Sequence, residues 1–76
     1  MKVTIYGKPQ CPYCDMAKNL ATNKGAEVRY LSVGTDYTAQ SFMAEFPTAR
    51  TFPQIIVNGE KIGGYSALVE MLSDEE

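Results

Sequence analysis

Both cysteines of this 76-residue chain fall in one short segment, Cys11-Pro12-Tyr13-Cys14. That placement limits how the chain can fold. A bridge between the two closes a tiny loop, and loop-closure entropy makes such a bridge the weakest of staples. A small secreted domain stapled by disulfides would instead spread roughly four to eight cysteines along its length. The fold must therefore rest on a packed apolar core, which at this size hides only ~60–65% of the surface the unfolded chain exposes. Hydrophobic residues at 45% and charged residues at 21% are enough for such a core and exclude a disordered chain. The cysteine pair is left over for chemistry.

A net charge of −2, with no basic run, gives nucleic acid no electrostatic footprint. Uninterrupted apolar runs such as Ile55-Ile56-Val57 fall far short of the ~20 residues that a membrane span needs. The start, Met1-Lys2-Val3-Thr4-Ile5-Tyr6, enters a strand pattern directly, without signal-peptide architecture. Together these features predict a cytoplasmic protein, with residues 1–76 forming a single domain free of linkers and repeats; a monomer is the expected state.

Val3 and Ile5 alternate with Thr4 and Tyr6, a strand ending at Gly7, and Lys8-Pro9-Gln10 continues a loop. From Pro12 the pattern turns helical: Cys14, Ala17, Leu20 and Ala21 share a face, and Asn23-Lys24-Gly25 supplies the stop. Glu27 to Val33 reads as a second strand, with Val28 and Tyr30 on one face and Leu31 and Val33 on the other. Gly34-Thr35-Asp36 offers caps for a helix carrying Ala39, Phe42, Met43 and Phe46, limited by Pro47. Gln54–Val57 and Glu60–Ile62 flank Asn58-Gly59, a strong hairpin signal because both central residues of a type I′ turn need positive φ. Gly63-Gly64 breaks the last strand. Ser66 is the expected cap of a final helix carrying Leu68, Met71 and Leu72, whose Asp74-Glu75-Glu76 tail opposes the helix dipole and should fray.

The order is β-α-β-α-β-β-α. Strands joined through a helix are parallel with a right-handed crossover, and the hairpin adds two antiparallel ones. The expectation is an α/β, thioredoxin-like architecture: a four-stranded mixed sheet with helices on both faces.

Cys11 is placed at or just before the first helical residue, where backbone N–H groups lack partners and the macrodipole is positive. A thiolate there is stabilised and becomes nucleophilic near neutral pH. Pro12 suits the first helical position, having no N–H to lose, and Lys8 adds positive charge nearby. Cys14, one turn on beside Ala17 and Leu20, is expected to be deeper and to act as the resolving thiol. A zinc site needs four ligands, and the chain has no histidine and no further cysteine; no bound metal is expected. An iron–sulfur cluster shared between two chains remains an alternative, since each chain could give one or two thiolates of the four that clusters prefer.

Thr51-Phe52-Pro53 precedes the hairpin. A proline there is acceptable as a strand-start residue, but beside the cysteine helix a cis Phe52–Pro53 bond would present the Phe52 backbone to an extended substrate. Gly63-Gly64-Tyr65-Ser66 reads as a loop needing glycine, and functionally as a place where free N–H groups at a helix start bind a carboxylate.

YGKPQCPYC (Tyr6 to Cys14), RTFPQIIVNGEKIGGY (Arg50 to Tyr65) and the helix that follows together resemble the glutaredoxins over nearly the whole chain. CPYC is typical of their dithiol members, Thr-Phe-Pro corresponds to the family's Thr-Val-Pro, and Gly63-Gly64 to its double glycine. The resemblance implies a glutathione-dependent disulfide oxidoreductase with catalytic Cys11 and Cys14, no tightly bound cofactor, and glutathione as reductant. It further implies a groove in which Lys8 and Arg50 meet the glycyl carboxylate, and Thr51, Phe52 and Pro53 pair with the cysteinyl unit. The segment Gly64, Tyr65, Ser66 and Ala67 would receive the γ-glutamyl end, with Tyr13 lining the thiol. Implied partners are disulfide-bearing proteins such as ribonucleotide reductase, with glutathione reductase acting indirectly through glutathione.

Two positions depart from the family. Ala67 stands where glutaredoxins usually carry Asp, and Phe52 where they usually carry Val. Redoxins reduced by thioredoxin reductase form a second reading: they carry Trp-Ser-Gly-Phe where this chain has Ile62-Gly63-Gly64-Tyr65, so the double glycine opposes it and the missing Asp favours it. A glutathione-ligated iron–sulfur carrier is the reading from another class, opposed by the stiff Pro12 beside the thiol.

Overall fold

The computed structural model describes residues 1–73; the expected fraying at Asp74-Glu75-Glu76 lies outside them. The elements are β1 (Lys2–Gly7), α1 (Pro12–Asn23), β2 (Glu27–Ser32), α2 (Ala39–Glu45), β3 (Gln54–Val57), β4 (Glu60–Gly63) and α3 (Tyr65–Ser73). The strands form one four-stranded sheet in the order β2-β1-β3-β4. β1 runs parallel to β2 and antiparallel to β3, and β3 pairs antiparallel with β4. This is the thioredoxin-like architecture that the alternation of patterns predicts.

The alternating side chains of β1 decide which face carries what. Val3 and Ile5 point to the same side as Ile55 and Val57, their antiparallel partners in β3. There they meet Ala17 and Ala21 of α1 and Leu68 and Leu72 of α3, all buried. Two alanines on α1 let its backbone sit close to the sheet. Burying each large aliphatic side chain in this layer contributes about 1.5–3 kcal/mol before entropy is counted. On β2, Val28 and Tyr30 pack against the same core, as the sequence pattern requires.

Tyr6 faces the other way. Its ring stands edge-on to Phe46 at 5.0 Å and to Tyr37 at 5.2 Å, and Phe42 lies 6.4 Å away. α2 is thus fastened to the second face of the sheet by aromatic rings. The hairpin turn has φ of 51° at Asn58 and 87° at Gly59, the pair of positive values expected of a type I′ turn.

Three boundaries differ from the sequence reading. β2 ends at Ser32, and Val33 makes only an isolated bridge with Tyr37. α2 is capped by Thr38, not by the Gly34-Thr35-Asp36 stretch: Thr38 Oγ1 accepts from the Ser41 N–H at 3.0 Å, and Ser41 Oγ accepts from the Thr38 N–H at 3.2 Å. Asp36 is used earlier, its carboxylate accepting from the Ser32 N–H at 2.8 Å. Finally, α3 begins at Tyr65, so Ser66 lies inside its first turn instead of capping it.

Candidate active site

The site starts at the carboxyl end of β1, an interior strand of the sheet. Gly7 closes that strand in a crowded place. A Cβ there would lie 2.8 Å from Cζ of Tyr30 and 3.2 Å from Cβ of Cys14, so only hydrogen fits between the sheet and the cysteine helix. The Gly7 carbonyl accepts from the Tyr37 hydroxyl at 2.6 Å and from the Val33 N–H at 3.0 Å. The strand end is therefore held from both sides before the chain turns through Gln10, whose φ is 57°.

Cys11 is the N-cap of α1, in extended conformation, with Pro12 in the first turn. Its sulfur accepts from the Cys14 N–H at 3.2 Å, and its carbonyl accepts the helix's first bond, from the Asp15 N–H, at 3.2 Å. The Cys14 N–H and the positive end of the helix dipole thus face the Cys11 sulfur. The two cysteines are joined as a disulfide, with Cα atoms 5.2 Å apart. Cys14 is 0% exposed and Cys11 7%. Cys14 is thus fully enclosed, while Cys11 keeps a small exposed edge.

Beside this pair lies an open cleft of about 400 Å³, lined by Tyr13, Thr51, Phe52, Pro53, Gly64, Tyr65 and Ser66. Tyr13 and Tyr65 form one side, ring centroids 5.7 Å apart. The Phe52–Pro53 peptide is cis, and Pro53 is fully buried. Gly64 sits close against this segment: a Cβ there would stand 3.4 Å from the Pro53 carbonyl oxygen.

Sequence separation of about 50 residues between Tyr13 and Tyr65 is thus erased by the fold. Three residues of the implied groove stand outside this lining. Lys8 is beside it, its Nζ 5.5 Å from the centroid of the Phe52 ring. Arg50 is exposed and lines a neighbouring depression with Glu45, Gln54 and Lys61, and Thr51 borders both hollows. Ala67, half-buried, follows Ser66 inside α3. The Phe42 ring of α2, stacked on Phe52 at 4.8 Å, supports the cleft wall in a way the sequence reading missed. Its only signal was a place in the apolar stripe of α2.

Among the described residues, no group of three or more His, Cys, Asp or Glu side chains is placed to hold a metal ion. Nor is any described helix long and apolar enough to cross a membrane.

A redox-active cysteine pair at a helix start, on this sheet, defines the class: a thiol–disulfide oxidoreductase on the thioredoxin-like frame. The family model for glutaredoxins matches residues 3–62. Glutaredoxin-C2 of Arabidopsis thaliana is 32% identical over 75 residues, which cover 95% of this chain and 68% of that protein. The castor-bean (Ricinus communis) glutaredoxin is 32% identical over 82% of this chain and 64% of its own length. Glutaredoxin 3 of Escherichia coli K12 is 36% identical over 82% of this chain and 75% of its own length. The chain therefore spans about two thirds of the two plant proteins. In structure it resembles glutaredoxin 1 of Francisella tularensis, with a TM-score of 0.78 at 27% identity over 97% of this chain and 93% of that one. A buckwheat glutaredoxin–glutathione complex gives a TM-score of 0.71 at 27% identity, over 96% of this chain and 69% of that one. The chain belongs to the glutaredoxin family.

Proposed function

We propose that this glutaredoxin reduces protein disulfides and glutathione mixed disulfides, with glutathione as its reductant. The observation that carries the reading is the cleft of about 400 Å³ beside the cysteine pair, edged by Thr51-Phe52-Pro53 and by the start of α3. A tripeptide thiol fits a hollow of that size and presents its sulfur to Cys11. The buckwheat relative, described in complex with glutathione, supports the same reading.

In the reduced protein the Cys11 thiolate attacks a disulfide sulfur, forming a mixed disulfide and releasing one thiolate. With a protein substrate, Cys14 then attacks the Cys11 sulfur, the substrate leaves as a thiol, and the Cys11–Cys14 bond closes. Glutathione reopens that bond at Cys11, and a second glutathione releases oxidised glutathione and restores the dithiol. Each exchange favours an attacking thiol that is ionised and a leaving thiol that departs easily; the helix start favours both at Cys11. Thr51 and the Phe52 backbone pair with the cysteinyl unit, Lys8 and Arg50 attract the glycyl carboxylate, and Gly64 to Ala67 receive the γ-glutamyl end. Tyr13 and Pro53 shape the space around the sulfur. The setting is the cytoplasm, the protein acts as a monomer, and ribonucleotide reductase is among the disulfide substrates.

The test is a coupled assay with a glutathione mixed disulfide, glutathione, glutathione reductase and NADPH. Turnover that vanishes in Cys11→Ser is expected. No turnover, combined with reduction of the disulfide by thioredoxin reductase and NADPH, overturns the glutathione reading.

A further inference from the structure

Phe52 does more in this fold than edge the cleft. One neighbour of its ring is Phe42, at 4.8 Å and 25°, and Phe42 is itself buried. Another is the Lys8 ammonium, 5.5 Å from the ring centroid. The residue before Lys8 is tied to the same aromatic row, because the Gly7 carbonyl accepts from the Tyr37 hydroxyl at 2.6 Å and the Tyr37 ring lies 5.8 Å from Phe42. Backbone anchor and ammonium thus rest on one row of rings. A lysine on an exposed loop otherwise samples many rotamers, and a cation over an aromatic face loses that freedom for an electrostatic gain. Lys61, the other lysine near this row, is engaged by the Glu45 carboxylate at 3.5 Å and by the Phe46 ring at 5.0 Å.

We propose that Phe52, stacked on Phe42, is a positioning residue that holds the Lys8 ammonium beside the cleft and so gives the site a preference for disulfides bearing a carboxylate. The inference rests on the reading that the cleft receives the disulfide substrate. An aliphatic side chain at this position would keep the backbone of the Thr51-Phe52-Pro53 segment and lose the seat for the cation.

The experiment compares two small disulfides with the reduced protein at low ionic strength: 3,3′-dithiodipropionate, a dianion, and bis(2-hydroxyethyl) disulfide, which is neutral. In each reaction Cys11 and Cys14 are oxidised to their disulfide and the reagent is reduced to two thiols, so mass spectrometry of quenched samples gives both rates. The readout is their ratio, which cancels any general loss of reactivity. The wild type is expected to favour the dianion. Phe52→Val and Phe52→Leu should each lower that ratio about two- to five-fold, the worth of an exposed cation–π contact, and Phe52→Tyr should keep it. Lys8→Gln should lower it as well, and the Lys8→Gln/Phe52→Val pair no further than Lys8→Gln alone. A ratio unchanged in Phe52→Val or in Lys8→Gln, or additive losses in the pair, overturns the inference. Because the assay contains no glutathione, failed glutathione turnover in the wild type defeats the proposed reductant and leaves this charge preference measurable by itself.

Discussion

The backbone N–H of Cys14 donates to the sulfur of Cys11 across 3.2 Å. The donor is main chain, so it survives replacement of the Cys14 side chain. Cys14→Ser therefore keeps the polarised helix start around Cys11 and loses only the resolving thiol. Reduction of glutathione mixed disulfides should stay within ~3-fold of the wild type, because exchange follows the attacking thiolate and the leaving group, while reduction of protein disulfides should collapse. Steady-state assays on both substrates check the split, and equal loss of both would sink the division of labour.

Gly7→Ala tests the crowding at the end of β1. The new methyl would meet the rigid ring of Tyr30, 2.8 Å away at Cζ, and Cβ of Cys14 at 3.2 Å. Overpacking of this kind costs about 1–3 kcal/mol, read as a lower denaturation midpoint in urea. Adding Tyr30→Val should recover part of the loss, since the ring is the nearer obstacle.

Tyr37 titrates late. Burial is the main cause, with Tyr30, Tyr6 and Asp36 adding to it, and its hydroxyl is pushed up to about 12 from 10.0. An acid whose folded value is raised favours the folded state while protonated. That contribution is whole below pH 10 and disappears between about pH 10 and 12. In Tyr37→Phe this alkaline step should shrink, and stability at neutral pH should fall by about 0.5–1.5 kcal/mol for the hydrogen bond to Gly7. Circular dichroism from pH 8 to 12, with tyrosinate absorbance followed in parallel, checks both statements.

Thr38→Ala removes one half of the capping box of α2. The expected cost is about 1 kcal/mol, measured by thermal unfolding. Because α2 reaches the cleft wall through the Phe42 ring stacked on Phe52, and not through the cysteine helix, glutathione turnover near 25 °C should change far less than the melting temperature.

The order of elements, the parallel β1–β2 pair, the antiparallel hairpin and the cysteine pair at a helix start were legible in the sequence, since they follow from local periodicity, turn residues and the crossover rule, whereas the antiparallel docking of β3 on β1 joins residues about 50 positions apart. What could not be read depends on which of several competing partners each side chain takes in the folded chain. Thr38 became the cap because Asp36 is drawn back onto the Ser32 N–H and Tyr37 is pulled into the ring cluster on Tyr6. Arg50 also lines a depression shared with Lys61 and Glu45, a placement that no pattern within Arg50-Thr51-Phe52 encodes. The stacking of Phe52 on Phe42 has the same origin: two aromatics ten positions apart, each with a sufficient local reason to be apolar.

The unequal burial of the two cysteines has a consequence for traffic through the site. A disulfide is chemically symmetric, yet here one cysteine keeps a small exposed edge and the other, inside α1, has none. On the mechanism proposed above, an incoming thiol opens the bond at Cys11, so each adduct would hang outward from Cys11 and the displaced Cys14 thiolate would be born inside, within a helical turn of its next target. Partners of very different shape can then be served in succession, because the chain never has to distinguish which of its sulfurs they have reached.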